Sequence, residues 1–191
     1  MKIFNSKLQL TEKDSMHTLN LPIDIFFKSL ADDYGDRAIG VILSGSGSDG
    51  SRGIRDIKEA GGMIMAQRPD TAKFDGMPNS AITTGIVDFT LNPDQMGEKI
   101  IDYIKHPYVR DKSISEKILL KNEDVIENII RLIKEKTGLD FAFYKPSTII
   151  RRLERRLSIN QVDNLNDYLS ILYSSEQEVK ILQKELLIGV T

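Results

Sequence analysis

"AIGVILSGSGSDGSRGIRDIKEAGG", residues 38–62, is the stretch whose reading decides the fold. Its opening residues, 38–43, are a short apolar run of strand length. A loop holding Gly45, Gly47 and Gly50 follows, and then a segment from about Ser51 to Ala60 that puts Ile54 and Ile57 on one helical face before Gly61 and Gly62 stop it. The glycines have the G-x-G-x-x-G spacing of a dinucleotide fingerprint, in which the helix N-terminus holds a pyrophosphate through its free N–H groups. Asp49 stands in the same loop, where an ionised carboxylate competes for those donors and repels an anion. Asp70 lies about 20 residues further on, where a ribose-binding acid would sit, so the nicotinamide-cofactor reading stays open. For Asp49 there are two other readings. One is a cap for the helix that begins near Gly50. The other is an acid at the C-terminal rim of a parallel sheet, where open α/β sheets place their crevice and a carboxylate can orient a catalytic imidazole.

Working outward, "LPIDIFFKSLADDYG" (21–35) places Ile23, Phe26, Phe27 and Leu30 on one helical face and ends at Gly35. Downstream, "MIMAQ" (63–67) and "GIVDFTL" (85–91) read as strands. Between them lie the turn-rich "RPDTAKFDGMPNS" (68–80) and a short helical piece; the helix "NPDQMGEKIIDYI" (92–104) follows. Strands separated by helices predict an α/β parallel sheet. Phe74, Met77 and Pro78 are expected along the floor of its crevice, with plain core packing as the alternative role. Ser44, Ser46 and Ser48 are ordinary turn formers in a glycine loop.

The pattern changes at His106. "HPYVRDKSIS" (106–115) is polar and aperiodic and reads as a linker, with His106 on the surface, as is His17 in its own loop. Beyond it everything is helical. "NEDVIENIIRLIKEKTG" (122–138) has Asn122 as cap, a stripe of Ile126, Ile129, Ile130 and Ile133, and Gly138 as stop. "NLNDYLSILY" (164–173) and "QEVKILQKELLIG" (177–189) are further helices. The expected domains are therefore 1–107, an α/β parallel sheet, and 122–191, a small all-α domain, joined by a linker over 108–121. In "YKPSTIIRRLERRLSIN" (144–160), a helix capped by Ser147 groups Ile150, Leu153 and Leu157 on one face. Arg151, Arg152, Arg155 and Arg156 fall on the other, either as a solvated charged face or as a docking surface for carboxylate or phosphate groups.

Composition removes several classes of function. The 191 residues contain no cysteine and two histidines, which excludes disulfides and thiol nucleophiles and argues against a metal centre. The net charge is −2, and neither half has the overall basicity of a nucleic-acid binder. No apolar stretch approaches the roughly 20 residues of a membrane span, and no secretory leader is visible, so the expected location is cytoplasmic.

Two resemblances give these motifs a chemistry. "AIGVILSGSGSDGSRGIRDIKEAGG" with "FDGMPNSAITTGIVDFTL" resembles the C-terminal half of CheB-type chemotaxis receptor methylesterases, serine hydrolases that cleave glutamate methyl esters and deamidate certain glutamines. The resemblance implies Asp49 as the acid of the catalytic triad. In that family the nucleophilic serine and the triad histidine lie farther upstream than this sequence reaches. "LIKEKTGLDFAFYKPSTIIRRLERRLSINQVDNLNDYLSILY" with the terminal "LLIGVT" resembles the N-terminal helical domain of CheR-type receptor methyltransferases. It implies receptor docking through Arg151, Arg152, Arg155 and Arg156. It also implies a first S-adenosyl-L-methionine contact at Thr191, with Gly189 where many methyltransferases of this type have asparagine; most of the cofactor site would lie outside this sequence. Together the two resemblances imply a piece, truncated at both ends, of a hybrid CheB/CheR protein in chemotaxis signal transduction. Its partners would be methyl-accepting receptors and the flanking domains of its own polypeptide. The alternative is a catalytically inactive, receptor-docking adaptor.

Overall fold

The computed structural model describes residues 1–10, 21–110 and 121–188, and the chain divides into two compact units, Met1–Lys99 and Ile100–Thr191. His17, Gly189, Thr191 and most of the expected linker lie outside the described residues.

In the first unit, β1 (Lys2–Phe4) and β2 (Lys7–Gln9) form an antiparallel hairpin. The turn residues Asn5 and Ser6 have positive φ, and their N–H groups donate to the two carboxylate oxygens of Asp33 at 2.8 Å each. Asp33 belongs to α1 (Pro22–Tyr34). Sequence reading did not anticipate this hairpin, because three-residue strands leave no period to detect.

The rest of the unit follows the expected alternation: β3 (Ile39–Ile42), α2 (Gly53–Ala60), β4 (Met63–Gln67), α3 (Gly76–Thr83) and β5 (Phe89–Leu91). The strands lie in the order β3, β4, β5, all parallel. Every residue of β4 is buried, as its place in the middle and its unbroken run "MIMAQ" demand. The third strand is shorter than expected because Asp88 turns inward before it. Its Oδ1 meets the Lys58 ammonium at 2.8 Å and its Oδ2 accepts the Ile64 N–H, so a buried ion pair fastens α2 to the strand entrance. The core gathers Phe27 and Ala31 from α1, Ile54 and Ile57 from α2, and Ile42, Ile64 and Ala66 from the sheet.

The glycine pair after α2 does two jobs. Gly61 closes the helix in the left-handed region at φ 95°. Gly62 lies so close to β3 that an added Cβ would stand 2.3 Å from the Ala38 carbonyl oxygen. Gly62→Ala is expected to destabilise the unit by about 1–3 kcal/mol, read as a lower urea midpoint at unchanged slope, because backbone must move to admit the methyl.

After α4 (Pro93–Lys105), the second unit holds α5 (Pro107–Arg110), α6 (Glu123–Thr137), α7 (Pro146–Asn160), α8 (Leu165–Ser174) and α9 (Glu176–Leu187). Asn122 and Gly138 bound α6 as expected, and its stripe enters a core with Ile150, Leu153 and Leu157 of α7, Leu172 of α8 and Leu182 of α9. The position before α7 is taken by Lys145, not Ser147, because Pro146 starts the helix two residues earlier.

Candidate functional site

The loop between β3 and α2 is built from both ends. At the front, the Ser44 N–H donates to Gln67 Oε1 at 2.9 Å, and the Ser44 hydroxyl accepts the Phe74 N–H. Gly45 exchanges backbone bonds with the following loop, its N–H donating to the Phe74 carbonyl and its carbonyl accepting the Met77 N–H, each at 2.9 Å. Contact is close: a Cβ on Gly45 would meet the Met77 sulfur at 2.4 Å, and one on Gly76 would stand 3.1 Å from the Gly47 nitrogen. The loop 43–50 that follows β3 and residues 74–80, which run from the connection after β4 into α3, are thus one structure. Pro78 is buried in it, Met77 is half-buried against Gly45, and Phe74 is exposed.

Asp49 sits behind this seam, half-buried, between Gly47 and Gly50, whose φ values of 88° and 96° turn the chain around it. The expectation that it caps the helix beginning near Gly50 is corrected. Its Oδ2 accepts the Ile23 N–H at 3.1 Å and its Oδ1 the Asp24 N–H at 3.0 Å, so it caps α1, whose own N-cap, Leu21, offers no side-chain acceptor. The start of α2 is capped instead by Asp24, whose Oδ1 accepts from Arg52 and Gly53 at 3.0 and 2.7 Å. Helical N-termini concentrate unpaired donors and positive potential, which is where carboxylates settle. Sequence reasoning missed Asp24; an acid in the first turn behind Pro22 was the visible signal.

The same geometry decides against the dinucleotide reading. The donors at the head of α2 that would hold a pyrophosphate are occupied by an internal carboxylate. Asp70 is bound to Arg68 two residues away, at 2.6 Å, and this hydrogen bond holds its carboxyl below the usual range. Among the described residues no group of acids and histidines could hold a metal ion.

The arginine helix departs most from expectation. Arg151 is exposed, but Arg152, Arg155 and Arg156 are 1%, 4% and 4% exposed, so the solvent-facing quartet is corrected. Helix α7 is touched by α5, α8 and α9, so the face opposite its leucines is covered too. Glu178 and Glu185 of α9 meet the guanidinium groups there. Arg156 donates through Nε and Nη2 to the two oxygens of Glu178 at 2.8 and 2.6 Å, and through Nη1 to Glu185 at 3.2 Å. Arg155 pairs with Glu185, and the Tyr168 hydroxyl donates to Glu178 at 2.7 Å. Burial disfavours the Arg156 charge, but Glu185 and Glu178 outweigh it and hold the guanidinium's pKa above its usual value. Burial, reinforced by Glu178, pushes the Tyr168 phenol well up.

His106 is corrected likewise: it is 5% exposed, not a surface linker residue. Its Nε2 lies 3.2 Å from the Val162 carbonyl and its Nδ1 3.2 Å from the Ser158 hydroxyl, while Tyr108 donates to the Asp163 carbonyl at 2.8 Å. These bonds, which join residues more than fifty apart in sequence, have no local signature. Burial lowers the pKa of His106, against the opposing pull of the Val162 carbonyl and Asp163. The sign follows: above the unfolded value of about 6.5 its contribution to stability is complete, and below it the unfolded chain takes up a proton that the buried ring resists. The thermal midpoint is expected to fall as pH drops from about 7.5 through 6.5 and toward the lower folded value, and His106→Gln is expected to flatten that slope.

Comparison with known proteins now gives these elements a family. The CheB methylesterase family model matches residues 1–100, and the model of the CheR methyltransferase all-alpha domain matches residues 124–187. An "Uncharacterized 104.1 kDa protein in hypE 3'region" of Rhodobacter capsulatus is 37% identical over 100% of this chain and 22% of its own length. A "Protein-glutamate methylesterase/protein-glutamine glutaminase" of Halobacterium salinarum is 40% identical over 52% of this chain and 28% of its own. This chain therefore spans about a quarter of those relatives. A crystal structure of the Thermotoga maritima CheB methylesterase catalytic domain matches at 35% identity over 41% of this chain and 42% of that one, with a TM-score of 0.40, so the architecture above rests on this chain's own sheet. The chain belongs to the CheB methylesterase family, with a CheR-type all-alpha segment joined behind the methylesterase segment.

Proposed function

We propose that the first unit supplies the acid of a serine-hydrolase triad for protein-glutamate methylesterase and glutamine deamidase activity, with Asp49 as that acid. The observation that carries this reading is the placement of Asp49 at the C-terminal rim of the parallel strands. Two backbone N–H groups hold its carboxylate while the residue stays half-open to its surroundings. Such an acid accepts the N–H of an imidazole, fixes its tautomer and stabilises the imidazolium that forms as the serine attacks. In this reading the loop serines are not the nucleophile: the Ser44 hydroxyl accepts the Phe74 N–H, and the first unit has no histidine among its described residues to activate a serine. The serine and imidazole come from elsewhere in the complete enzyme.

The second unit matches the CheR methyltransferase all-alpha domain, and on that likeness we propose for it a place on the receptor side of an S-adenosyl-L-methionine-dependent methyl transfer. Among its described residues, Arg155, Arg156, Glu178 and Glu185 are turned onto one another and so are engaged within the unit. Thr191 as a first cofactor contact remains our proposal. So does docking to the acidic helices of a chemotaxis receptor, narrowed here to the exposed Arg151, because a side chain engaged inside the helical core does not reach a partner. No helix among the described residues is long and apolar enough to cross a membrane. Action on the cytoplasmic part of the receptor is part of the same proposal and rests on the likeness to CheB and CheR proteins.

The test joins this chain behind the amino-terminal part of a CheB methylesterase relative and measures methanol release from methylated receptor. Hydrolysis supports the reading. A folded but inactive chimera favours the rival, an adaptor that binds receptor without modifying it.

A further inference from the structure

We infer that Asp24 is a positioning residue for Asp49, acting through an exchange of caps between the first turns of α1 and α2. Its meaning for catalysis rests on the reading of Asp49 as the triad acid. The side chain of Asp49 caps α1 through the N–H groups of Ile23 and Asp24, and the side chain of Asp24 caps α2 through the N–H groups of Arg52 and Gly53. Each acid sits at the head of the helix that the other's segment adjoins, so both bonds span the gap between the same two turns.

The packing leaves little room for the two turns to slip. A Cβ on Gly53 would stand 2.9 Å from both the Cα and the carbonyl oxygen of Asp24, and 2.6 Å from the Phe27 Cβ. Only a residue without a side chain lets α2 begin that close to α1. Gly50, at φ 96°, gives the sharp turn from Asp49 to that contact, and its own Cβ would meet Ile42 and Ile23 at 2.7 and 3.0 Å. Asp49 therefore lies between two anchor points. In front are the bonds of Ser44 and Gly45 to Gln67, Phe74 and Met77. Behind it are the Asp24 bonds to Arg52 and Gly53. With the rear anchor removed, the left-handed glycines on either side of Asp49 let the carboxylate swing away from α1. A triad acid is useful only while its oxygen is aimed at the imidazole, so a residue that never touches substrate sets that aim.

The test uses the full chain and amide hydrogen exchange by NMR. Asp24→Ala is expected to speed exchange at least about tenfold not only at Arg52 and Gly53 but also at Ile23 and at residue 24, the amides held by Asp49, and to move the Asp49 carboxyl carbon resonance. Asp24→Asn is expected to restore all three signals. It keeps the Oδ1 that accepts both N–H groups, and the Oδ2 it replaces has no hydrogen-bond partner among the described residues. A simple helix cap would loosen Arg52 and Gly53 alone, and an unmoved Ile23 amide and Asp49 resonance would overturn the inference. Should Asp24→Ala not fold, Asp49→Ala asks the reciprocal question: faster exchange at Arg52 and Gly53 supports the exchange of caps, and unchanged protection there overturns it. Coupling in a chain whose chimera cleaves no ester upholds the clamp and sinks only the functional reading.

Discussion

Asp49→Asn, in this chain completed by a CheB amino-terminal part, is expected to lower kcat for methyl ester hydrolysis about 10⁴-fold with little change in KM. The size follows from the role. Without the carboxylate the imidazole loses the partner that selects its tautomer, and the charge it gains in the transition state goes unanswered. The change is small in the ground state, because the acid does not touch the substrate. Folding is separable from chemistry here. The asparagine Oδ1 still accepts one of the two N–H groups at the head of α1, whereas Asp49→Ala removes both and should also cost about 1–2 kcal/mol of stability, the usual loss of a helix cap. A folded Asp49→Asn enzyme that retained its rate, shown by Michaelis kinetics beside circular dichroism, would remove Asp49 from the triad.

Arg156→Met is expected to lower the unfolding free energy of the second unit by about 3–5 kcal/mol, read by chemical denaturation. The guanidinium is nearly closed off from water and grips both oxygens of Glu178 as a fork, with Glu185 on its third nitrogen. Taking it away removes the forked cationic partner of Glu178 inside the helical core, where the Tyr168 hydroxyl and the Asn160 amide that also bind it are neutral. Arg156→Lys should recover only part of the loss, since an ammonium cannot bind two oxygens in one plane. The double replacement Arg156→Met with Glu178→Met should be milder than Arg156→Met alone, because it removes both charges that burial penalises. Equal stability of Arg156→Met and the parent chain would mean that these residues face water, as the helical projection had them.

That projection shows where a sequence stops being informative. Spacing correctly identified α7 and its buried residues Ile150, Leu153 and Leu157, because a helix must hide its apolar stripe whatever covers it. It assigned the arginines to water, because a one-dimensional pattern assumes a single covered face, and nothing in "IIRRLERRL" announces that Glu178 and Glu185 will arrive from another helix. His106 went astray for the same reason, its partners lying at Ser158 and Val162.

The first unit divides along the same line. Local residues dictated the βα alternation, the stops at Gly35 and Gly61, and the loop that carries Asp49, since strand period, helix period and left-handed glycine are properties of neighbours along the chain. Which helix Asp49 would cap, which acid would cap α2, and whether a guanidinium would meet water or a carboxylate were decided only by the folded chain. Electrostatic and hydrogen-bond partners are chosen by distance in space, and distances between segments exist only once the segments have packed.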